Sequence, residues 1–137
     1  MYEPIVIHDA RRCGWALDGL EAACRSAGVP EDTVIDLRIV AEEVLTNVAK
    51  YAFEPGCVPA LELCVELGEA ECVLEFRDHG RPFDPLAAPA PDLERPPEER
   101  PEGGLGLALV RALVDDASYR RDGGANVLRL VKRRTAQ

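Results

Sequence analysis

The sequence predicts one α/β domain in which amphipathic helices and half-buried strands follow one another along the chain. Three observations predict it. Apolar residues recur at helical spacing over 12–27 and 30–52, while the runs at 61–67 and 71–77 have the apolar pattern of strands. The length, 137 residues, suits a single domain spanning 1–137 that builds its core without metals or crosslinks. Hydrophobic residues make up 47% of the chain, which excludes a disordered acidic tail despite a net charge of −9.

The elements follow in order. Residues 3–8 read as a first strand. From Arg12 to Ala27, the positions Cys13, Ala16, Leu17, Leu20, Ala23, Cys24 and Ala27 share one helical face, and Gly28 beyond them is a C-terminal cap. Pro30-Glu31-Asp32 opens a second helix, because Pro and acidic residues suit a first turn. Its stripe is Val34, Leu37, Val40, Val44, Leu45, Val48 and Ala52, and Glu54-Pro55-Gly56 ends it. Leu61, Leu63, Val65 and Leu67 alternate with Glu62, Cys64 and Glu66, as in a half-buried strand. A short Gly68-Glu69-Ala70 turn leads to a second strand over 71–77. A third helix is expected over 105–114, and a hairpin pairs 117–122 with 126–133 across Asp122-Gly123-Gly124. Between the 71–77 strand and the third helix, the 22 residues from Arg81 to Glu102 hold seven of the chain's 11 prolines and nine charges. A connection of that length is either a tolerated insertion or a functional lid over 81–102, and its flanks, where the chemistry sits, favour the lid.

Charge and cysteine content narrow the function classes. The acidic balance, with a pI near 4.7, argues against nucleic acid and against an anionic membrane surface as partners. The start of the chain has no basic leader, and its apolar run is only Ile5-Val6-Ile7, so the expected compartment is the cytoplasm. Five cysteines with no C-x-x-C pair, and only two histidines, point to small buried thiols in a reducing compartment.

Three constellations carry chemistry. Glu43 and Asn47 are four apart on the second helix, hence on one face, whereas Glu42 points roughly 100° away. A mid-helix Asn can offer a carbonyl oxygen to a hard cation such as Mg²⁺, and a carboxylate one turn away can polarise a nearby hydroxyl. An exposed polar helix face would look the same. Lys50 and Tyr51 follow on that side; Lys can reach a phosphate and Tyr can offer a ring to a base. Asp78-His79-Gly80 ends a strand, where Asp78 can accept from an exocyclic amine and Gly80 permits close backbone approach or positive φ. An ordinary Asp-x-Gly turn has the same sequence. Gly103-Gly104-Leu105-Gly106-Leu107 opens a helix whose N-terminus favours phosphate, or serves as a hinge. No P-loop run is present, and the glycines follow a long loop, which does not fit a dinucleotide fingerprint.

Taken in order, Glu43…Asn47, Asp78-x-Gly80 and Gly104-x-Gly106 resemble the N, G1 and G2 boxes of the GHKL (Bergerat) ATP-binding fold. The segments 78–85 and 102–107 are similar to those of the anti-sigma factor serine/threonine-protein kinases, and the resemblance spans roughly residues 5–133. It implies an α/β two-layer sandwich: a mixed, mostly antiparallel sheet covered by helices on one face. It implies ATP and Mg²⁺ as cofactors, with Glu43 as general base, Asn47 on the metal, Asp78 on the adenine amine, and Gly104, Leu105, Gly106 and Leu107 at the phosphates. Arg100 is the nearest candidate for the Arg that the family carries before those glycines, and Pro82 stands where a second G1 glycine can occur. Implied partners are a STAS-domain anti-anti-sigma protein, which would receive phosphate on serine or threonine, a sigma factor, and a second copy in a homodimer. Lys50-Tyr51 is closer to the histidine-kinase N box, and such a catalytic domain would need a preceding dimerisation helix pair with a phosphorylatable His. A non-catalytic, ATP-gated binding module is the other alternative.

Overall fold

The computed structural model describes residues 4–87 and 104–134. Along them run β1 (Ile5–Ile7), α1 (Gly14–Ser26), α2 (Glu31–Tyr51), β2 (Leu61–Leu67), β3 (Glu71–Asp78), a 3₁₀ turn (Pro85–Ala87), α3 (Gly104–Leu113), β4 (Asp116–Asp122) and β5 (Ala125–Arg133). Each predicted element is present, with ends shifted by one or two residues. The strands form one sheet in the order β1-β2-β3-β5-β4, and every pairing in it is antiparallel.

Alternation along the strands builds two faces. Register lines up Leu63, Phe76, Leu128 and Tyr119 in one row, and Val65, Leu74, Leu130 and Ala117 in the next. These residues join Leu17, Leu20, Leu37, Val40, Val44 and Val48 of α1 and α2 in a single core. The intervening positions form the other face, where the buried Val73, Val127 and Val131 lie among charged residues; there Arg120 lies 3.8 Å from Glu75 and Arg77 lies 3.5 Å from Asp122. A layer of helices over one face of a sheet is the expected sandwich.

Local chemistry sets the helix ends. Gly28, at φ +75°, closes α1 in a Schellman arrangement: its N–H reaches the Arg25 carbonyl at 3.1 Å, and the Val29 N–H reaches the Cys24 carbonyl at 3.0 Å. The Arg134 guanidinium donates to the Ala27 carbonyl at 2.7 Å and the Gly68 carbonyl at 2.9 Å, tying α1 to the β2–β3 turn. Arg38 of α2 reaches Asp18 and Glu21 of α1 at 2.8 and 2.9 Å, a partly exposed link of small energetic weight. Cys24 and Cys72 are buried and Cys13 and Cys64 half-buried, but Cys57 is exposed, so the buried-thiol expectation fails there. Burial pushes the Cys24 thiol up to about 11 from an ordinary value of 9.0. The folded chain therefore holds that proton more tightly than the unfolded chain and loses stability as pH rises through this window.

Lys132 breaks the apolar pattern of the helix-facing layer. It stands opposite Cys72, and its Nζ donates to the Leu113 carbonyl at 2.5 Å and lies 3.3 Å from Asp36 of α2. A cation at the end of α3 satisfies one of the carbonyls left without an intrahelical donor and complements the helix dipole. Lys132→Ala should lower unfolding free energy by about 1.5–3 kcal/mol in urea titrations, the usual size of a charge-assisted bond. Wild-type stability in that variant would mean that the α3 end is held by other contacts.

Candidate functional site

The site grows from one end of the central strands. Asp78 is the last residue of β3, and the β3–β5 register places it directly opposite Asn126. Both face the helices, and each is only 3% exposed. A polar group so buried needs partners. Asn126 Nδ2 donates to Asp78 Oδ1 at 3.0 Å and to the Arg81 carbonyl at 2.8 Å. Asn126 Oδ1 accepts from the Tyr119 hydroxyl at 2.6 Å, the Phe83 N–H at 3.1 Å and Arg121 Nη1 at 3.1 Å. The Gly80 N–H also donates to Asp78 Oδ1, at 2.9 Å.

Gly80 is required by close approach. A Cβ there would lie 2.2 Å from the Ala52 carbonyl oxygen and 2.9 Å from its carbon, at the end of α2. The Arg81 N–H donates to that same oxygen at 2.8 Å, and Arg81 Nε donates to the Tyr51 carbonyl at 2.8 Å. The chain leaving β3 is thus fastened to the end of α2, and the Tyr51 and Phe83 rings lie 5.5 Å apart. Within this junction Val48, Phe76, Phe83, Pro85, Tyr119 and Leu128 wall a cavity of about 10 Å³, with Asp78 and Asn126 also on its lining. That is room for about one water; a larger planar ring enters only if a wall such as Phe83 moves.

Asn47 is 3% exposed on α2, next to the cavity residue Val48. Its Nδ2 donates to the Glu43 backbone carbonyl at 2.7 Å. The amide is thereby oriented with its nitrogen toward its own helix, so Oδ1 is the atom turned elsewhere. A single neutral oxygen suits Mg²⁺, which keeps several waters and takes its other ligands from phosphates. Glu43 is half-buried one turn earlier, and its backbone oxygen rather than its carboxylate receives the Asn47 amide. Lys50 is exposed in the last turn of α2.

Gly104, Leu105, Gly106 and Leu107 are the first four residues of α3. The first four N–H groups of a helix have no intrahelical acceptor, and a glycine brings no side chain to shield them. The residues expected at the phosphates thus form the first turn of the helix that they were expected to open. Arg100 and residues 88–102 of the expected lid lie outside the described residues. Residues 81–87 are anchored by the bonds at Arg81 and Phe83, and Arg111 of α3 donates to the Leu86 carbonyl.

Of the residues singled out in the sequence, the structure brings Asp78, Gly80, Tyr51 and Asn47 to the same end of the molecule. Sequence reading missed Asn126, Tyr119, Arg121 and the anchoring role of Arg81. An Asn beside Val127 and Leu128 in a strand is the one available signal, since strands disfavour Asn.

A buried acid at a strand end, an oriented Asn on the covering helix and a glycine-opened helix are the arrangement expected of an ATP-binding sandwich of the Bergerat kind. The family model described as the histidine kinase-like ATPase domain matches residues 8–132. This chain belongs to that family. The serine/threonine-protein kinase BtrW of Bordetella bronchiseptica is 36% identical over 94 residues, covering 69% of this chain and 66% of that protein. The serine-protein kinase RsbW of Bacillus cereus is 30% identical over 105 residues, covering 74% of this chain and 65% of that protein. The matched region spans just under two thirds of the length of these relatives. The crystal structure of the RsbU and RsbW domains of Rv1364c from Mycobacterium tuberculosis has a TM-score of 0.65 at 16% identity, covering 96% of this chain and 32% of that chain. At that identity the likeness is one of fold.

Gly80→Ala should destabilise the protein by about 1–3 kcal/mol, the range for overpacking, because its neighbour is backbone that cannot rotate away. Differential scanning calorimetry measures this; an unchanged melting temperature would mean that the β3–α2 junction yields freely.

Proposed function

We propose that this protein is an ATP- and Mg²⁺-dependent protein serine/threonine kinase that phosphorylates a STAS-domain anti-anti-sigma partner and acts as an anti-sigma factor in a partner-switching system. The observation that carries the nucleotide part is the buried Asp78 carboxylate, held by Asn126 and Gly80 at the rim of a largely apolar cavity. Support for the kinase part comes from BtrW and RsbW, both named as protein kinases and 36% and 30% identical to this chain. STAS protein, sigma factor and homodimer follow from the resemblance to anti-sigma kinases. The reading places the protein in the cytoplasm, and no helix among the described residues is long and apolar enough to cross a membrane.

In this reading Asp78 accepts a hydrogen bond from the adenine amine, and Phe83 and Tyr119 close on the base. The backbone N–H groups of Gly104, Leu105, Gly106 and Leu107 receive phosphate oxygens, with Lys50 and Arg100 as further cations at the phosphates. Asn47 Oδ1 would hold Mg²⁺, which when bound neutralises phosphate charge. The Glu43 carboxylate takes the proton from the partner's serine or threonine hydroxyl as that oxygen bonds to the γ-phosphorus and ADP departs. Positioning and charge stabilisation supply much of the rate in phosphoryl transfer, and a general base typically adds about 10²–10⁴-fold.

Glu43→Ala should therefore slow transfer of labelled γ-phosphate to a STAS partner by about 10²–10⁴-fold while ATP affinity stays within about threefold. Asn47→Ala should lose both transfer and Mg²⁺-dependent affinity. Transfer at the wild-type rate by Glu43→Ala would remove Glu43 as the base. A wild-type protein that binds a STAS partner only with ATP, yet never phosphorylates it, would be a binding module instead.

A further inference from the structure

The amide of Asn126 is saturated. Both hydrogens of Nδ2 are given to acceptors, Asp78 Oδ1 and the Arg81 carbonyl, and Oδ1 takes donors from Phe83, Tyr119 and Arg121. Three donors on one side and two acceptors on the other leave only one way to orient the amide. A saturated amide gains nothing by touching a ligand, since each such contact would displace a bond already made. Its effect falls on its neighbours. Asp78 Oδ1 receives two donors, from Asn126 at 3.0 Å and from the Gly80 N–H at 2.9 Å. With that oxygen fixed, the carboxylate is held in one orientation, and among the described residues Oδ2 is the oxygen left to a ligand. The same amide fixes the backbone at Arg81 and Phe83, whose ring walls the cavity.

We propose that Asn126 is a positioning residue for base recognition. It locks the Asp78 carboxylate and the Arg81–Phe83 segment, so the site selects a purine that carries an exocyclic amine. The proposal rests on the ATP reading above and names what sets its base preference. Tyr119 acts one step further out, through the 2.6 Å bond its hydroxyl gives to Asn126.

The test compares the affinities of ATP and purine riboside 5′-triphosphate, which differ only by the amine, using calorimetry with Mg²⁺ on the full chain. Wild type should prefer ATP by roughly 10–100-fold, the usual weight of a charge-assisted bond. Asn126→Ala should shrink that preference to about threefold or less, mainly by weakening ATP, with the amine-free analogue changed far less. Tyr119→Phe should reduce the preference by a smaller factor, about two- to threefold. A residue that merely stabilises the fold would weaken both nucleotides together, so an unchanged ratio in Asn126→Ala overturns the proposal. If Asn126→Ala does not fold, Tyr119→Phe decides, and an unchanged ratio there overturns it equally. Failure of the ATP reading looks different: wild type would then bind neither nucleotide.

Discussion

Two polar side chains facing one another inside a largely apolar layer constrain this molecule more than any other contact. Asp78 and Asn126 are cross-strand neighbours, and each is 3% exposed. A buried carboxylate without donors is far more costly than a buried amide, so Asp78 persists only while Asn126 and the Gly80 N–H serve it. That requirement fixes the register of β3 on β5, because a slip of one residue would turn Asp78 to the other face. It also fixes the chain after β3, since Asn126 holds the Arg81 carbonyl and the Phe83 N–H.

The junction with α2 extends this constraint to the helix layer. Gly80 lets the backbone pass against Ala52, and Arg81 holds the last carbonyls of α2. Asn47 lies little more than one turn before that end, so the acid on the sheet and the amide on the helix are held by one rigid corner. At the other end of α3, Lys132 joins the Leu113 carbonyl to Asp36 of α2. A chain of net charge −9 has no general attraction for a polyphosphate. Binding one therefore depends on local donors; the first turn of α3 has backbone N–H groups without intrahelical acceptors.

The elements were legible because their signals are local. Periodicity marked α1 and α2, alternation marked β2, and Gly28 and Gly123-Gly124 marked a helix end and a hairpin turn. The Glu43…Asn47 and Asp78-x-Gly80 spacings were legible for the same reason. What escaped reading is long-range. The pairing of β3 with β5 brings together strands separated by the whole 79–124 stretch, and only that pairing gives Asn126 its role. The clash that requires Gly80 depends on where Ala52 ends, which no local pattern encodes. Lys132 carries no local signal, and its place at the end of α3 follows from register alone.

A crystal structure of the chain with Mg²⁺ and a non-hydrolysable ATP analogue tests the account most directly. The exocyclic amine of the base is expected on Asp78 Oδ2, the metal on Asn47 Oδ1, and the Asn126 bonds to Asp78 and Arg81 unchanged. A base seated away from Asp78, or a metal held without Asn47, would contradict it.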